Sequence, residues 1–188
     1  GLLGGSFNPA HEGHLHISRL ALADLGLDCV WWLVSPQNPL KSAHDMASYA
    51  SRLASARAVA ADSQIRVCDF ERQVGTTRTA LVLRKLMRAY RERHFVWIMG
   101  ADNLIQIVKW HDWQSIFATV PIAIYDRPSY SEPARTSVAA RRYMQARVNT
   151  DGAQTLVDCR PPAWMFFRGR LDATSATEIR TRWRRTGK

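Results

Sequence analysis

The sequence predicts an α/β protein with a doubly wound parallel sheet covered by helices on both faces. It reads as a single domain over residues 1–188. Three observations predict it. Short apolar runs alternate with stretches of helical period, the pattern of successive βαβ units. The runs lack polar alternation, as strands buried on both faces do. Turns that could meet a ligand follow several runs, at the carboxyl ends where open parallel sheets bind their ligands.

The elements follow in chain order. Leu2 and Leu3 end a first strand that runs into Gly4-Gly5. Ile17, Leu20, Ala21 and Leu25 keep helical spacing, and Gly26 suits that helix's end. Cys29 to Val34 is an apolar run of strand length. Met46, Tyr49, Ala50, Leu53 and Ala54 mark a second helix, and Ile65 with Val67 a short strand. Val82, Leu83, Leu86, Met87 and Tyr90 mark a third helix. Phe95 to Met99 is a strand stopped by Gly100, Pro121 to Tyr125 a fifth strand and Trp164 to Phe167 a sixth. Glu132 to Arg147 is expected to be helical, and Arg180 falls in a last helix. Trp31, Trp32 and Trp97 are expected in the core.

Composition limits the function classes. A hydrophobic content of 46% and a charged content of 22% suit a globular chain. No stretch approaches the roughly 20 apolar residues that cross a bilayer, and the first residues lack a signal-peptide pattern. The expectation is a cytoplasmic protein without a membrane partner, and no feature specifies an oligomeric state. Cys29, Cys68 and Cys159 are scattered, which argues against disulfide staples and a cysteine zinc site. The net charge of +10 suits nucleic acid or a small polyanion such as ATP equally well.

Four motifs separate those options. The first is Gly4-Gly5-Ser6-Phe7-Asn8-Pro9-Ala10-His11-Glu12-Gly13-His14. Glycines let the backbone approach a ligand, and a helix N-terminus offers unpaired N–H groups and a positive dipole end. Two histidines three apart can point the same way. The bland alternative is that they cap a turn. A zinc H-E-x-x-H would need histidine where Leu15 stands, and neither a Walker loop nor a G-x-G-x-x-G is present. The second motif is Thr174 to Arg180, in which Ser175 and Glu178 form a capping-box pattern and Arg180 can reach a phosphate at that helix start. The third is Gly100-Ala101-Asp102-Asn103. Asp102 either accepts ribose hydroxyls or serves as an N-cap. The fourth is Trp110-His111-Asp112-Trp113, where a tryptophan can stack on a flat ring.

Together, and in this order, these residues resemble the bacterial nicotinate mononucleotide adenylyltransferases, within the superfamily defined by [HT]-x-G-H. The family opening G-G-S-F-D-P-x-H-x-G-H is matched except for Asn8. Pro36, Pro39 and Lys41 resemble its second loop. Its Y-T-x-x-T-L becomes Arg78 to Leu83, with Arg78 and Val82 as departures. Its G-A-D-N, W-x-x-W and R-P blocks recur at Gly100, Trp110 and Arg127. Its I-S-S-T-x-I-R recurs with Ala176 for the second serine.

The resemblance implies a Rossmann-like α/β fold and transfer of an adenylyl group from ATP, with its Mg²⁺, to nicotinate mononucleotide in NAD biosynthesis. It implies His11, His14 and Arg180 as catalytic phosphate-binding groups. Gly5, Ser6, Phe7, Lys41, Gly100, Asp102, Ser175 and Thr177 would bind ATP, and Asn8, Thr79, Trp110 and His111 the acceptor. No protein metal ligand and no nucleic-acid partner are implied. The rivals are pantetheine-phosphate adenylyltransferases and other H-x-G-H nucleotidyltransferases, cytidylyltransferases among them. A class I tRNA synthetase would need an anticodon-binding domain for which 188 residues leave no room. From another class, a basic nucleic-acid-binding module would show no turnover.

Overall fold

The structure is a computed structural model, and it describes residues 1–37 and 46–169. Six parallel strands form one sheet: β1 (Leu2–Gly5), β2 (Val30–Val34), β3 (Ile65–Cys68), β4 (Trp97–Gly100), β5 (Ile122–Tyr125) and β6 (Trp164–Phe167). Their order is β3-β2-β1-β4-β5-β6. The chain winds outward from β1 to β3, then returns past β1 to build the other half. The order therefore reverses between β1 and β4, and a crevice opens beyond their carboxyl ends.

Strand alternation divides the core in two. Leu2, Leu33, Trp97, Met99 and Ile124 point to one face, where helices α4 (Thr79–Ala89), α5 (Ala101–Gln106) and α6 (Trp113–Thr119) pack. Leu3, Trp32, Val34, Ile98 and Met165 point to the other, against α1 (Glu12–Leu25) and α2 (Tyr49–Val59). Both faces being apolar explains why the strand runs carry no polar alternation. Trp32 and Trp97 are buried as expected. Trp31 is only partly buried, on the outer strand pair, with its ring edge-on to Tyr90 and Phe95.

The segment expected to be helical from Glu132 to Arg147 is helical in three pieces. It contains α7 (Ser131–Arg135), α8 (Val138–Arg142) and a 3₁₀ turn over Met144–Ala146. Capping chemistry overrides the helical period here. The Thr136 hydroxyl donates to the Glu132 carbonyl at 2.9 Å, and the Ser137 hydroxyl accepts the Ala140 N–H at 3.2 Å, starting a new helix. A short helix α3 (Phe70–Gln73), absent from the sequence reading, follows β3. No described helix is long and apolar enough to cross a membrane.

Candidate active site

The loop from Gly4 to His14 leaves β1 at the switch point and turns into α1. Gly4 is fixed by close packing, because a Cβ there would lie 2.4 Å from the Trp97 ring. Phe7 takes φ 44°, a left-handed conformation unusual for a bulky residue, and its ring is buried. That ring sits 4.6 Å from the His14 ring and 5.0 Å from Trp32. Any contact between Phe7 and a ligand would thus run through its backbone. Asn8 is also buried, and its Oδ1 accepts the Ala47 N–H at 3.2 Å, tying the loop to the entrance of α2.

His11 is the N-cap of α1 and His14 its third helical residue. The two cap each other's backbone. The Gly13 N–H donates to His11 Nδ1 at 3.1 Å, and the His11 N–H donates to His14 Nδ1 at 3.2 Å. This is a capping box built from histidines instead of serine and glutamate. The capping alternative holds, and it is compatible with the ligand-binding reading. A ring nitrogen that accepts an N–H must carry a lone pair, so the neutral imidazole keeps its proton on Nε2. Both rings are thereby set as Nε2–H donors, with centroids 3.9 Å apart. Below them, the Ser18 hydroxyl donates to the His14 carbonyl at 2.8 Å and accepts the Trp32 indole N–H at 2.8 Å. Ser18 and Trp32 are fully buried.

Across the crevice, Gly100 ends β4 and is the N-cap of α5. Asp102 is therefore not the cap, contrary to the alternative considered for it. It lies in the first turn, where its Oδ2 accepts from Arg127 Nη1 at 3.0 Å. Arg127 comes from the turn after β5. Asp102 Oδ1 is buried without a hydrogen-bond partner among the described residues, and a Cβ on Gly100 would come within 2.6 Å of it.

The other predicted residues lie further along the same edge. Thr79 is the first residue of α4, whose N-cap Arg78 makes no side-chain capping bond. Trp110 and His111 lie between a 3₁₀ turn (Ile107–Lys109) and α6. Trp110 is half-buried and His111 exposed. Arg84 of α4 donates to Asp112 at 3.1 Å and to Ser115 at 3.3 Å, holding the Trp110 turn beside α4. Next to the start of α4 is a cavity of about 540 Å³, lined by Pro36, Glu71, Arg72, Thr76, Arg78 and Leu81 among others. Burial pushes the Glu71 carboxyl up to about 7. Lys41, Ser175, Thr177 and Arg180 lie outside the described residues, as do Pro39 and the expected last helix.

Sequence reasoning missed two buried charges, Arg52 and Glu71. A signal for Arg52 existed: it shares a helical face with Tyr49 and Ala56, at spacings of three and four. Among the described residues, no group of three or more His, Cys, Asp or Glu side chains could hold a metal ion.

Residues 2–182 match the model of the cytidylyltransferase-like family. A Parvibaculum lavamentivorans protein named "Probable nicotinate-nucleotide adenylyltransferase" is 51% identical over 97% of this chain and 90% of its own length. A Methylorubrum extorquens protein of the same name is 48% identical over 97% of this chain and 98% of its own.

This chain belongs to the nicotinate-nucleotide adenylyltransferase family.

The fold of that family is visible at much lower identity. The Plasmodium falciparum nicotinic acid mononucleotide adenylyltransferase, solved with NaAD, superposes with a TM-score of 0.70 at 15% identity. The match covers 96% of this chain and 81% of that one.

Proposed function

We infer that this adenylyltransferase joins the adenylyl group of ATP to the 5′-phosphate of nicotinate mononucleotide, giving nicotinate adenine dinucleotide and pyrophosphate. The observation that carries the reading is the reciprocal His11–His14 cap at the β1/β4 switch point, in a chain 43–51% identical to relatives bearing that activity's name.

The acceptor's phosphate is already anionic at neutral pH, so the reaction needs no general base. The protein's work is to align that phosphate with the α-phosphorus and to stabilise charge developing on the leaving pyrophosphate. His14 and His11 present Nε2–H donors to the α- and β-phosphates, and the α1 N-terminus adds its dipole. Because the other nitrogen of each ring is held by a backbone N–H, neither ring need reorient as charge builds. Gly5, Ser6 and Phe7 contribute backbone at the triphosphate. Asn8 acts by fixing the loop against Ala47. Gly100 and Asp102 are assigned to the ribose and adenine, with Arg127 orienting the Asp102 carboxylate. Lys41, Ser175, Thr177 and Arg180 are assigned to the β,γ end of the triphosphate. Trp110 stacks on the pyridine ring, and Thr79 and His111 lie toward its carboxylate. Mg²⁺ enters with the ATP phosphates as part of the substrate, and no step is assigned to a protein-held ion. Free Cys29, Cys68 and Cys159 suit a reducing cytoplasm.

The test is pyrophosphate release from ATP with nicotinate mononucleotide, its amide or phosphopantetheine offered in parallel. Turnover with the pyridine mononucleotide is expected. Turnover with phosphopantetheine alone would overturn the acceptor assignment. Salt-sensitive nucleic-acid binding without turnover would restore the rival class.

A further inference from the structure

A buried arginine links the two halves of the site. Arg52, on α2, is 2% exposed. Its guanidinium donates to four backbone carbonyls: Nη1 to Ser6 at 2.6 Å and to Ser35 at 2.8 Å, Nη2 to Pro36 at 2.7 Å, and Nε to Ala47 at 3.1 Å. The group has five N–H donors in a rigid plane, and four are committed here. Its plane lies over the Tyr49 ring, 5.4 Å from the centroid.

The targets have one thing in common. Ser6 is in the histidine loop, Ser35 and Pro36 are in the loop after β2, and Ala47 is at the entrance to α2. All are irregular backbone at the carboxyl edge of the sheet. Burying a cation is costly unless its donors are bonded. Helix packing alone would be served better by an apolar residue, since α2 buries only Arg52 and Ala56 fully. The two loops it ties are also tied by Ser35 N–H to the Gly5 carbonyl at 2.9 Å. Pro36, gripped by Nη2, lines the 540 Å³ cavity on the acceptor side. One rigid fork therefore fixes the histidine loop relative to the wall of that cavity.

We propose that Arg52 is a positioning residue for adenylyl transfer: its guanidinium sets the distance between the His11–His14 phosphate loop and the acceptor-side loop at Pro36. The inference rests on the function proposed above, and its second readout does not. Arg52 reaches no reacting atom. It acts by holding carbonyls, so a cation without the fork cannot replace it. Lysine can reach one or two of the four carbonyls and leaves the others unpaired.

The decisive variant is Arg52→Lys, with Arg57→Lys as control, because Arg57 is exposed on the same helix. Arg52→Lys is expected to lower kcat about 10- to 100-fold, with KM for ATP within about threefold, because a shift of about 1 Å in reacting groups costs about 100-fold. Amide exchange over residues 4–14 and 35–37 should accelerate while β5 and β6 keep their protection. Arg57→Lys should change neither. An unchanged kcat, a rise in KM alone, or a loss matching the unfolded fraction would overturn the inference. If wild type shows no turnover, the function fails, and the exchange pattern still judges Arg52. If Arg52→Lys does not fold, Arg52→Ala is examined with added guanidinium. Recovery of turnover or loop protection by guanidinium but not methylammonium supports the fork. Equal effects of both cations, or no folding with either, overturn it.

Discussion

The two sides of the crevice, proposed to hold the phosphates and the acceptor, are built differently. On the phosphate side, each key group is held by backbone. The His11 and His14 rings are pinned by backbone N–H groups, Ser18 locks the turn beneath them, and Phe7 and Trp32 form a buried floor. On the acceptor side, α4 starts without a side-chain cap, and Trp110 is held through an exposed Arg84–Asp112 contact. A phosphate offers the same charge and shape in every substrate, so a rigid, preset site suits it. A pyridine ring differs between acceptors mainly at one substituent, and the groups proposed to face it come from separate segments.

Three substitutions sharpen or break this contrast. The largest effect is expected for His14→Ala. It removes the donor proposed for the α-phosphate and should lower kcat roughly 10²- to 10³-fold. It also removes one side of the capping box, so stability should fall by about 1 kcal/mol. Denaturant melts and pyrophosphate kinetics measure the two separately. A large loss of stability with proportionate activity would make the residue structural.

Next is Glu71→Gln, on the acceptor side. Burial raises the Glu71 carboxyl from about 4.5 to about 7, so the folded chain favours the protonated form. Stability from this group is complete below about pH 4.5 and is lost as pH rises through about 7. The shift corresponds to about 3 kcal/mol. Glutamine should flatten the stability profile across that window and make the chain more stable than wild type above it. A profile unchanged by the substitution would refute the assignment.

The smallest effect is expected for Arg84→Ala. The Arg84–Asp112 pair is solvent-exposed, and surface pairs contribute little. The melting temperature should hold, while KM for the mononucleotide rises a fewfold through looser placement of Trp110. An equal rise in KM for ATP would break the division between the two sides.

How much was legible in the sequence follows the same line. Five strands could be read because both faces of the sheet are buried there and the runs are continuous; the edge strand β3, with exposed Arg66, was legible only through Ile65 and Val67. The phosphate loop could be read because it is local: glycine, histidine and helix start lie within eleven residues. That His11 and His14 would cap one another through Nδ1 could not be read, since it depends on a φ of −156° at His11. The break at Thr136-Ser137 was hidden because helical period continues across it, while two hydroxyls divert the backbone. Arg52 was hidden because arginine on a helix usually belongs to its solvated face. Trp110 could be read as a stacking ring but not placed, and Thr79 came only from family likeness, for what brings their segments together is packing between α4 and α6.

The central claim is that backbone bonds preset both histidines as Nε2–H donors for phosphate. ¹⁵N NMR of the imidazole nitrogens, with and without an unreactive ATP analogue, tests it most directly. The claim predicts that in both His11 and His14 Nδ1 is unprotonated and Nε2 protonated before ligand is added, and that binding shifts Nε2 most. An Nδ1–H tautomer in either ring, or an Nε2 signal indifferent to the triphosphate, would contradict it.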